Sequence, residues 1–421
     1  MLGIPCLEGC GLQMCNIVSR VLKPLSQFSK NFANSSPRLR LAWFPFVVLA
    51  IVSCKDIKRP GLETLLFLNP QTNSAIGVVT TDFGGGGRFK TFQTNSNVAL
   101  PGEIPIHSDA VSRYYLQKVF IVNRLGRDSI FVLNPNQFFL PEIQFSVGQG
   151  TNAQDIAAIS STKAYVTRYN SRDLLVVNPS VGLQTGIIPL GQFAEPTSNG
   201  ITPDGLPEMS WMVSYQSKVY VTLQRLDRND PAGFLPPNAS SLLVEIDTSS
   251  DSITGVFTFR SRNPNCKPQI KTIFGDPHAI FCLPNRLGFI SRLDGAVEAF
   301  NLRTRAFYPN FLLEETNAGG DIVGAQIASE TLGYANILTP SFEKKIISFN
   351  PSNGQVLNTI LSIPASSGSV LTAFYLDPSG KLFVGNTDFT RPGIFIIQNQ
   401  VLQNPIPINV GLAPSDFTNL E

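Results

Sequence analysis

The sequence predicts an all-β protein, a seven-bladed β-propeller closed by pairing of its N- and C-terminal strands. Three observations predict this fold: a strand motif recurs seven times, the composition suits short strands and turns, and the chain ends carry complementary parts of one repeat. Of the 421 residues, 43% are hydrophobic and 15% charged, and 30 Phe accompany 33 Gly and 31 Pro. Phe favours strands and Gly and Pro interrupt them, which argues against long helices.

The N-terminal segment has the pattern of an export signal. Leu41–Val52 is uncharged, but it is shorter than the roughly 20 residues that a membrane-spanning helix needs. Arg38 and Arg40 precede it, as the positive flank of a secretory signal does. The segment ends in Ile51-Val52-Ser53-Cys54, which resembles the bacterial lipoprotein signal. The resemblance implies that Cys54 is lipidated and becomes the first residue of the exported protein.

These features divide the chain into a leader (1–53), a lipidated tether (54–61) and the propeller (62–421). The alternatives for the N-terminus are a plain signal peptide with an incidental cysteine and a transmembrane anchor. Residues 1–37 lack signal character, so we expect the true start to lie downstream of Met1. Cys6, Cys10 and Cys15 would then be missing from the protein. Their spacing, without a nearby His or a Cys-x-x-Cys pair, does not predict a metal site.

The repeat is clearest at Lys163–Gly191, where three strands alternate with tight turns, as in the meander of a propeller blade. Its landmark is a strand that ends in Asn-Pro or a similar turn. The landmark occurs at Leu65–Pro70, Ile130–Pro135, Leu174–Pro179, Leu242–Asp247, Val297–Asn301, Ile346–Pro351 and Ile394–Gln398. Most copies follow a partner strand, at Val119–Val122, Ala164–Thr167, Val219–Thr222, Leu287–Ile290 and Leu382–Gly385. Intervals of roughly 40 to 70 residues fit blades with insertions.

The two ends of the chain carry complementary parts of a blade. The first copy lacks a preceding partner, and Gly411–Phe417 resembles an inner strand, so we expect the C-terminal strand to complete the first blade. This closure removes an exposed sheet edge. A β-sandwich and an open solenoid are the alternatives.

Two copies resemble a known family. Ala164–Arg168 and Val219–Thr222 are similar to the bacterial propeller family named for its Tyr-Val-Thr-Asn (YVTN) repeat, with Arg168 and Leu223 in place of the family's Asn. The resemblance implies the propeller fold. Propellers of this kind also include lactone hydrolases that work from the central channel.

Two kinds of charged residue recur at one end of the strands, so we expect both to surround the mouth of the central channel. The basic set is Arg124, Arg168, Arg225 and Arg292, and the acidic set is Asp109, Asp155, Glu208, Asp321, Asp416 and, less regularly, Asp276. One interpretation is a charged funnel that binds a polar or anionic ligand or a loop of a partner protein. The other is that the acids accept backbone hydrogen bonds and pair with Arg between blades.

No pattern in the sequence identifies catalytic residues, a metal site or a cofactor. The chain has two His, His107 and His278, without the spacing of metal ligands. Nucleophile elbows, P-loops and haem-attachment motifs do not occur in the sequence. The glycine run Phe83–Phe89 is predicted to be a mobile loop. Leu226–Ala239, which contains three prolines, is predicted to be a stiff, protruding loop suited to binding.

Cys266 and Cys282, 16 residues apart, predict a disulfide in an exported protein, with two buried thiols as the alternative. The body that follows the basic leader is nearly neutral, which gives no electrostatic reason to bind nucleic acid. We therefore expect an exported protein, anchored by its lipid to the inner or outer membrane of the cell envelope. We expect it to act as a non-catalytic binding or scaffold module, without a cofactor, for an unknown protein or a small polar ligand. The alternative is a lactonase-like hydrolase at the channel mouth.

Overall fold

The computed structural model describes residues 74–196, 204–226, 228, 239–285 and 291–421. The leader, the tether with Cys54, the landmark at 65–70, the partner strand expected at 287–290 and most of the loop 226–239 lie outside the described residues. Every structural statement below concerns the described residues.

The strands form seven antiparallel sheets, which are the seven predicted blades. Blade 1 contains β1 (Ala75–Thr81), β2 (Gly86–Gln93), β3 (Val98–Ala99), β4 (Ile104–His107) and β30 (Ala413–Asn419). Blade 2 contains β5 (Ala110–Tyr115), β6 (Lys118–Asn123), β7 (Ser129–Asn134) and β8 (Leu140–Ser146). Blade 3 contains β9 (Ala153–Ser160), β10 (Lys163–Arg168), β11 (Asp173–Asn178) and β12 (Leu183–Pro189). Blade 4 contains β13 (Met209–Tyr215), β14 (Lys218–Leu223), β15 (Leu242–Asp247) and β16 (Ser252–Thr258).

The remaining blades follow the same plan. Blade 5 contains β17 (Gln269–Ile273), β18 (Asp276–Leu283), β19 (Ala296–Asn301), β20 (Ala306–Phe307) and β21 (Leu313–Glu314). Blade 6 contains β22 (Asp321–Ile327), β23 (Gly333–Leu338), β24 (Lys344–Asn350) and β25 (Gln355–Ile363). Blade 7 contains β26 (Leu371–Leu376), β27 (Lys381–Asn386), β28 (Gly393–Gln398) and β29 (Val401–Leu402). A single-turn helix, α1 (Glu315–Ala318), precedes blade 6. Among the described residues, no helix combines the length and the apolarity needed to cross a bilayer.

Burial explains why the middle strands of each blade are the strongest sequence signal. In blade 3, Ala164, Tyr165, Val166 and Thr167 of β10 are all buried. They pack between neighbouring sheets on both faces, which favours a continuous apolar run over alternation. The outer strand β12 is largely exposed and more polar. The core is therefore a ring of apolar layers between blades, and it includes contacts such as Tyr220 on Phe300, whose ring centroids are 5.7 Å apart.

The chain ends close the ring as predicted. β30 pairs antiparallel with β1, with Phe417 opposite Val78, and it forms the inner strand of blade 1. Blade 1 differs from the prediction in its third strand, which is β2. The glycine run expected to be a mobile loop contributes Gly86 to Phe89 to this strand. Gly87 suits the position because a Cβ there would lie 2.5 Å from the Thr80 carbonyl oxygen and 2.6 Å from that of His107.

Blade 5 also differs from the prediction. The partner of β19 is β18, which begins at Asp276. Asp276 therefore begins a second strand rather than an inner one. It lies at the face opposite the other acids, where it accepts a hydrogen bond from Asn301 Nδ2 (2.8 Å).

The propeller has two distinct faces. We call the face where the inner strands begin the entry face; the hairpins between second and third strands lie on the same side. The inner strands β30, β5, β9, β13, β17, β22 and β26 line the central channel.

Candidate functional site

A cavity of about 150 Å³ lies in the central channel towards the entry face. Blades 1, 2, 4, 6 and 7 and the segment before blade 5 line it. The polar or aromatic side chains that line it include Arg124, Trp211, Lys267, Thr372 and Asp416. Their convergence from distant parts of the chain makes this cavity the candidate functional site, since ligand sites in barrels and propellers form where many elements meet.

Lys267 crosses the channel to Asp416. Its Nζ atom lies 3.0 Å from both Asp416 carboxylate oxygens and also donates to the Ser112 carbonyl (2.8 Å) and the Phe417 carbonyl (3.0 Å). Asp416 accepts two further hydrogen bonds, from the backbone N–H (2.8 Å) and the hydroxyl (3.0 Å) of Ser112. Burial lowers the pKa of Lys267, and the carboxylate of Asp416 opposes this effect. The ammonium and the carboxylate thus satisfy each other and the backbone of blades 1 and 2.

Arg113 and Asp155 form a second buried ion pair beside the cavity. The guanidinium donates from Nε (2.7 Å) and Nη2 (2.6 Å) to the two carboxylate oxygens. Asp155 is fully buried and also accepts from the backbone N–H groups of Ile156 and Met212, each at 2.8 Å. Burial alone would lower the pKa of Arg113, but the charge and hydrogen bonds of Asp155, with Tyr115 and Asp416, together outweigh it and the pKa is raised. Because Met212 belongs to β13, this pair connects blades 2, 3 and 4.

Trp211 and the disulfide shape one wall of the cavity. Its ring lies under the Arg113 guanidinium, 5.5 Å from centroid to Cζ, and its Nε1 donates to the Asn265 carbonyl (3.0 Å). Cys266 and Cys282 are bonded, with their Cα atoms 5.5 Å apart. Asn265 N–H also donates to the Cys282 carbonyl (3.1 Å). The disulfide therefore ties the segment that carries Lys267 to the second strand of blade 5.

The predicted basic residues mostly bind the loops of the propeller. Arg168 donates to the carbonyls of Val147 (3.3 Å) and Asp173 (3.1 Å). Arg225 donates to the carbonyls of Ser240 (2.6 Å) and Ala194 (3.1 Å). Burial lowers the pKa of both guanidinium groups. Arg292 is exposed.

Arg124 is the predicted basic residue that reaches the cavity. It forms an ion pair with Asp109 and donates to Gln154 Oε1 (3.2 Å). Its guanidinium therefore connects the hairpin of blade 2 to Asp109 and to the inner strand of blade 3, while part of the side chain lines the cavity.

The remaining acids also serve the connections between strands. Asp321 is buried and accepts from the Ser291 hydroxyl (2.7 Å). Glu208 accepts from the backbone N–H of Leu226 (2.9 Å) and pairs with Arg228 (2.7 Å). Burial raises the pKa of Glu208 to about 8. Of the predicted charged set, Arg124 and Asp416 line the cavity and Asp155 lies beside it.

Sequence reasoning missed Arg113, Trp211 and Lys267. Two signals could have found two of them. Lys267 directly follows a cysteine of the predicted disulfide, and Trp211 is one of two tryptophans in the sequence, the other being Trp43 in the expected leader. Arg113 has no comparable signal, because its acidic partner lies 42 residues away.

Lys267, Asp416 and Arg124, charged residues that line the cavity, are held by partners within the fold, and neither histidine lines the cavity. Within the described part of the chain, no three His, Cys, Asp or Glu side chains are grouped so as to hold a metal ion. The open volume suits one small polar group that donates to the Thr372 hydroxyl oxygen, whose own hydrogen goes to the Pro414 carbonyl (2.7 Å), and that packs against the Trp211 ring.

Comparisons with known proteins relate this chain to others through its fold. No protein-family model matches the sequence, and no curated protein matches it. A putative 6-phosphogluconolactonase from Bacteroides uniformis has a similar structure, with a TM-score of 0.54 and 13% identity over 80% of this chain and 97% of that one. Dihydro-heme d1 dehydrogenase NirN follows with a TM-score of 0.51 and 11% identity, over 82% and 75% of the two chains. Hydrazine synthase of Kuenenia stuttgartiensis has a TM-score of 0.50 and 12% identity, over 77% and 95%. At these identities the likeness shows the propeller fold alone.

Proposed function

We propose that this protein is a non-catalytic binding module of the cell envelope, held there by a lipid on Cys54, and that it binds a small polar ligand or a loop of a partner protein at the channel mouth. One observation carries the binding role. The ionisable groups around the cavity are paired with each other and with backbone groups, as in Lys267 with Asp416 and Arg113 with Asp155. Such groups provide a fixed pattern of charge and hydrogen bonding for recognition.

The same pairing disfavours hydrolysis by acid–base catalysis. A general acid or base needs a group that can exchange a proton with the substrate within hydrogen-bonding distance. Asp416 already accepts from Lys267 and twice from Ser112, and Asp155 accepts from Arg113 and two backbone N–H groups. The carboxylate oxygens of both residues are therefore already used in hydrogen bonds within the protein. The lactonase-like alternative would require one of these carboxylates to leave its partners when substrate binds.

Two features support the envelope location. The apolar segment Leu41–Val52 ends at Ile51-Val52-Ser53-Cys54, the pattern that resembles a lipoprotein signal. The disulfide between Cys266 and Cys282 suits a protein that folds in an oxidising compartment. Both features fit export followed by lipidation.

Native mass spectrometry tests the proposal on protein purified from the envelope of its expression host, with lipids and small ligands retained. We expect a diacyl or triacyl mass on Cys54, its loss in Cys54→Ala, and a co-purifying ligand or partner that Lys267→Met releases. Lys118→Met, far from the channel, should retain both. An unlipidated wild-type protein would refute the anchor. Turnover of lactones that is abolished in Asp416→Asn would refute the non-catalytic role.

A further inference from the structure

The entry face carries an apolar patch outside the channel, which we call the phenylalanine patch. It consists of Phe83 in the β1–β2 hairpin, Phe389 in the β27–β28 hairpin, and Val370 at the start of blade 7. Phe83 is 56% exposed, Phe389 78% and Val370 50%. The two rings lie 5.8 Å apart, so the hairpins of adjacent blades 7 and 1 present one continuous surface.

The positions of these residues are unfavourable for folding. An exposed Phe contributes little to the core. Phe83 also has φ of 59°, a left-handed conformation that disfavours bulky residues and is better suited to Gly or Asn. Leu116, Leu125 and Phe138 combine exposure with this conformation elsewhere, but only in the patch do two exposed rings from adjacent blades, Phe83 and Phe389, lie against each other in the described part of the chain. An apolar surface shared by two blades is better explained by contact with another molecule.

The charges beside the patch indicate what that molecule is. Phe83 and Phe389 each have an acidic neighbour in sequence, Asp82 and Asp388. Hydrogen bonds hold both carboxylates ionised. Two backbone N–H groups bind Asp82, and the backbone of Thr390 and Arg391 binds Asp388. Arg391 is the one basic residue in the two hairpins 82–85 and 387–392. An excess of carboxylates around apolar rings repels anionic lipid headgroups and attracts Lys and Arg side chains.

The described ends of the propeller lie on the face opposite the patch. β1 begins at Ala75, and β30 ends at Asn419 beside it. Neither of these two strand ends contributes to the patch.

We propose that the phenylalanine patch is a docking surface for a protein segment that combines apolar side chains with Lys or Arg. This inference rests on the proposed binding function and adds the chemical class of the partner and the place where it binds. The apolar side chains would pack on Phe83 and Phe389, and the basic ones would pair with Asp82 and Asp388. The channel mouth opens on the same face, so one partner can contact both.

A peptide-binding experiment tests the proposal. The probe is an 18-residue dye-labelled peptide of Leu and Lys arranged as an amphipathic helix, and the control probe has Glu in place of every Lys. Fluorescence anisotropy should show the Leu/Lys peptide binding the wild-type protein at least tenfold more tightly than the Leu/Glu peptide. The variant Phe83→Asn/Phe389→Ser should lose at least tenfold in affinity. Its melting temperature should stay the same or rise, because Asn suits the left-handed position.

Two matched variants complete the design. Leu140→Ser/Leu183→Ser removes side chains of similar exposure, 56% and 62%, from outer strands, and it should bind the peptide like the wild type. Asp82→Asn/Asp388→Asn keeps the turn-capping oxygens but removes the charges, so it should lose most of the preference for Lys over Glu. Lys118→Met, at the start of β6 on the face opposite the patch, should leave peptide binding unchanged. If the peptide does not bind but the ligand of the channel still co-purifies with the protein, the docking proposal is wrong and the proposed function is unaffected.

Three outcomes would overturn the docking proposal. The phenylalanine variant could bind the Leu/Lys peptide within twofold of the wild type. Vesicles of zwitterionic phosphatidylcholine, or of phosphatidylcholine with phosphatidylglycerol, could bind the wild type and not this variant, which would identify a lipid surface. Sedimentation could show a wild-type dimer that the variant abolishes, which would identify a second copy of the chain as the occupant.

Discussion

Lys267 Nζ lies 3.0 Å from Asp416 Oδ2, although the two residues are 149 positions apart in the sequence. Asp416 belongs to β30, the C-terminal strand that closes blade 1, and Lys267 lies in the segment before blade 5 on the other side of the channel. The pair therefore fastens the closing strand from across the ring. It also forms part of the candidate binding cavity, so closure of the fold and the geometry of the site depend on the same contact.

Replacing Lys267 with Met should destabilise the protein strongly. The side chains of Lys267 and Asp416 are 23% and 12% exposed, so Met would leave a largely buried carboxylate with the Ser112 bonds alone. We expect the free energy of unfolding to fall by about 3 kcal/mol, the size of effect seen when one partner of a buried pair is removed. Urea denaturation measures it. Lys118→Met, which breaks the more exposed pair with Glu142, should cost under about 1 kcal/mol. Equal losses in both variants would show that the cross-channel pair is not special.

Removing the disulfide should affect both stability and the cavity wall. Cys266→Ser/Cys282→Ser opens a link between residues 16 apart, which should lower the free energy of unfolding by roughly 3 kcal/mol, the loop-closure entropy that the disulfide removes from the unfolded chain. Because Asn265 accepts from Trp211 and adjoins Cys266, the Trp211 emission should shift to longer wavelength. Fluorescence of protein lacking the leader, and hence Trp43, reports this directly. Dithiothreitol should reproduce the shift in the wild type and have no effect on the double variant. A loss of stability without a shift would mean that the disulfide does not position the cavity wall.

Glu315 should make stability depend on pH. It is fully buried, and burial raises its pKa to about 8 despite hydrogen bonds from the Gly295 and Ile322 backbone. The folded protein then holds a proton that the unfolded chain, with a carboxyl pKa near 4.5, releases. The stabilisation that comes from protonated Glu315 is complete below about pH 4.5. It is lost as the pH rises towards 8, at up to about 1.4 kcal/mol of unfolding free energy per pH unit. Denaturation between pH 5 and 9 should show a flatter dependence for Glu315→Gln. Glu314→Gln, at the exposed neighbour, should keep the wild-type slope, and a wild-type slope in Glu315→Gln would refute the shifted pKa.

The propeller was predictable because its middle strands are buried on both faces. Runs such as Ala164–Thr167 and Ile346–Phe349 are buried and mostly apolar, so they recur visibly in the sequence. Blade 1 was harder to predict, since its third strand β2 begins with glycines. Glycine is required at position 87 because the carbonyl oxygens of Thr80 and His107 leave no room for a Cβ atom. Sequence composition alone does not distinguish that requirement from a flexible loop.

The candidate site was only partly predictable. The acids at the starts of inner strands were found because each occupies an equivalent place in its repeat, and Asp155 and Asp416 do lie at or beside the cavity. Their partners Arg113 and Lys267 occupy no repeated position. Each pairs with a carboxylate of a different blade that is distant in the sequence, so the pairing can be recognised only in the folded ring. The predicted basic set shows the reverse case, since Arg168 and Arg225 recur because each binds loop carbonyls of the blades around it.

Closure of the ring by β30 should depend on Phe417. This side chain is 3% exposed and belongs to the same core cluster as Ile76, Val78 and Phe92 of β1 and β2. Phe417→Ala should lower the free energy of unfolding by about 3–4 kcal/mol, the cost of an unfilled cavity in a packed core. Urea denaturation gives the value, and Phe389→Ala, at a site 78% exposed, should change it by less than about 0.5 kcal/mol. If Phe417→Ala lowers the free energy of unfolding as little as Phe389→Ala does, pairing of the C-terminal strand does not stabilise the closed ring. Deletion of 413–421 would then leave a stable protein. If the pairing does matter, this deletion exposes the edge of β1 and the protein should aggregate.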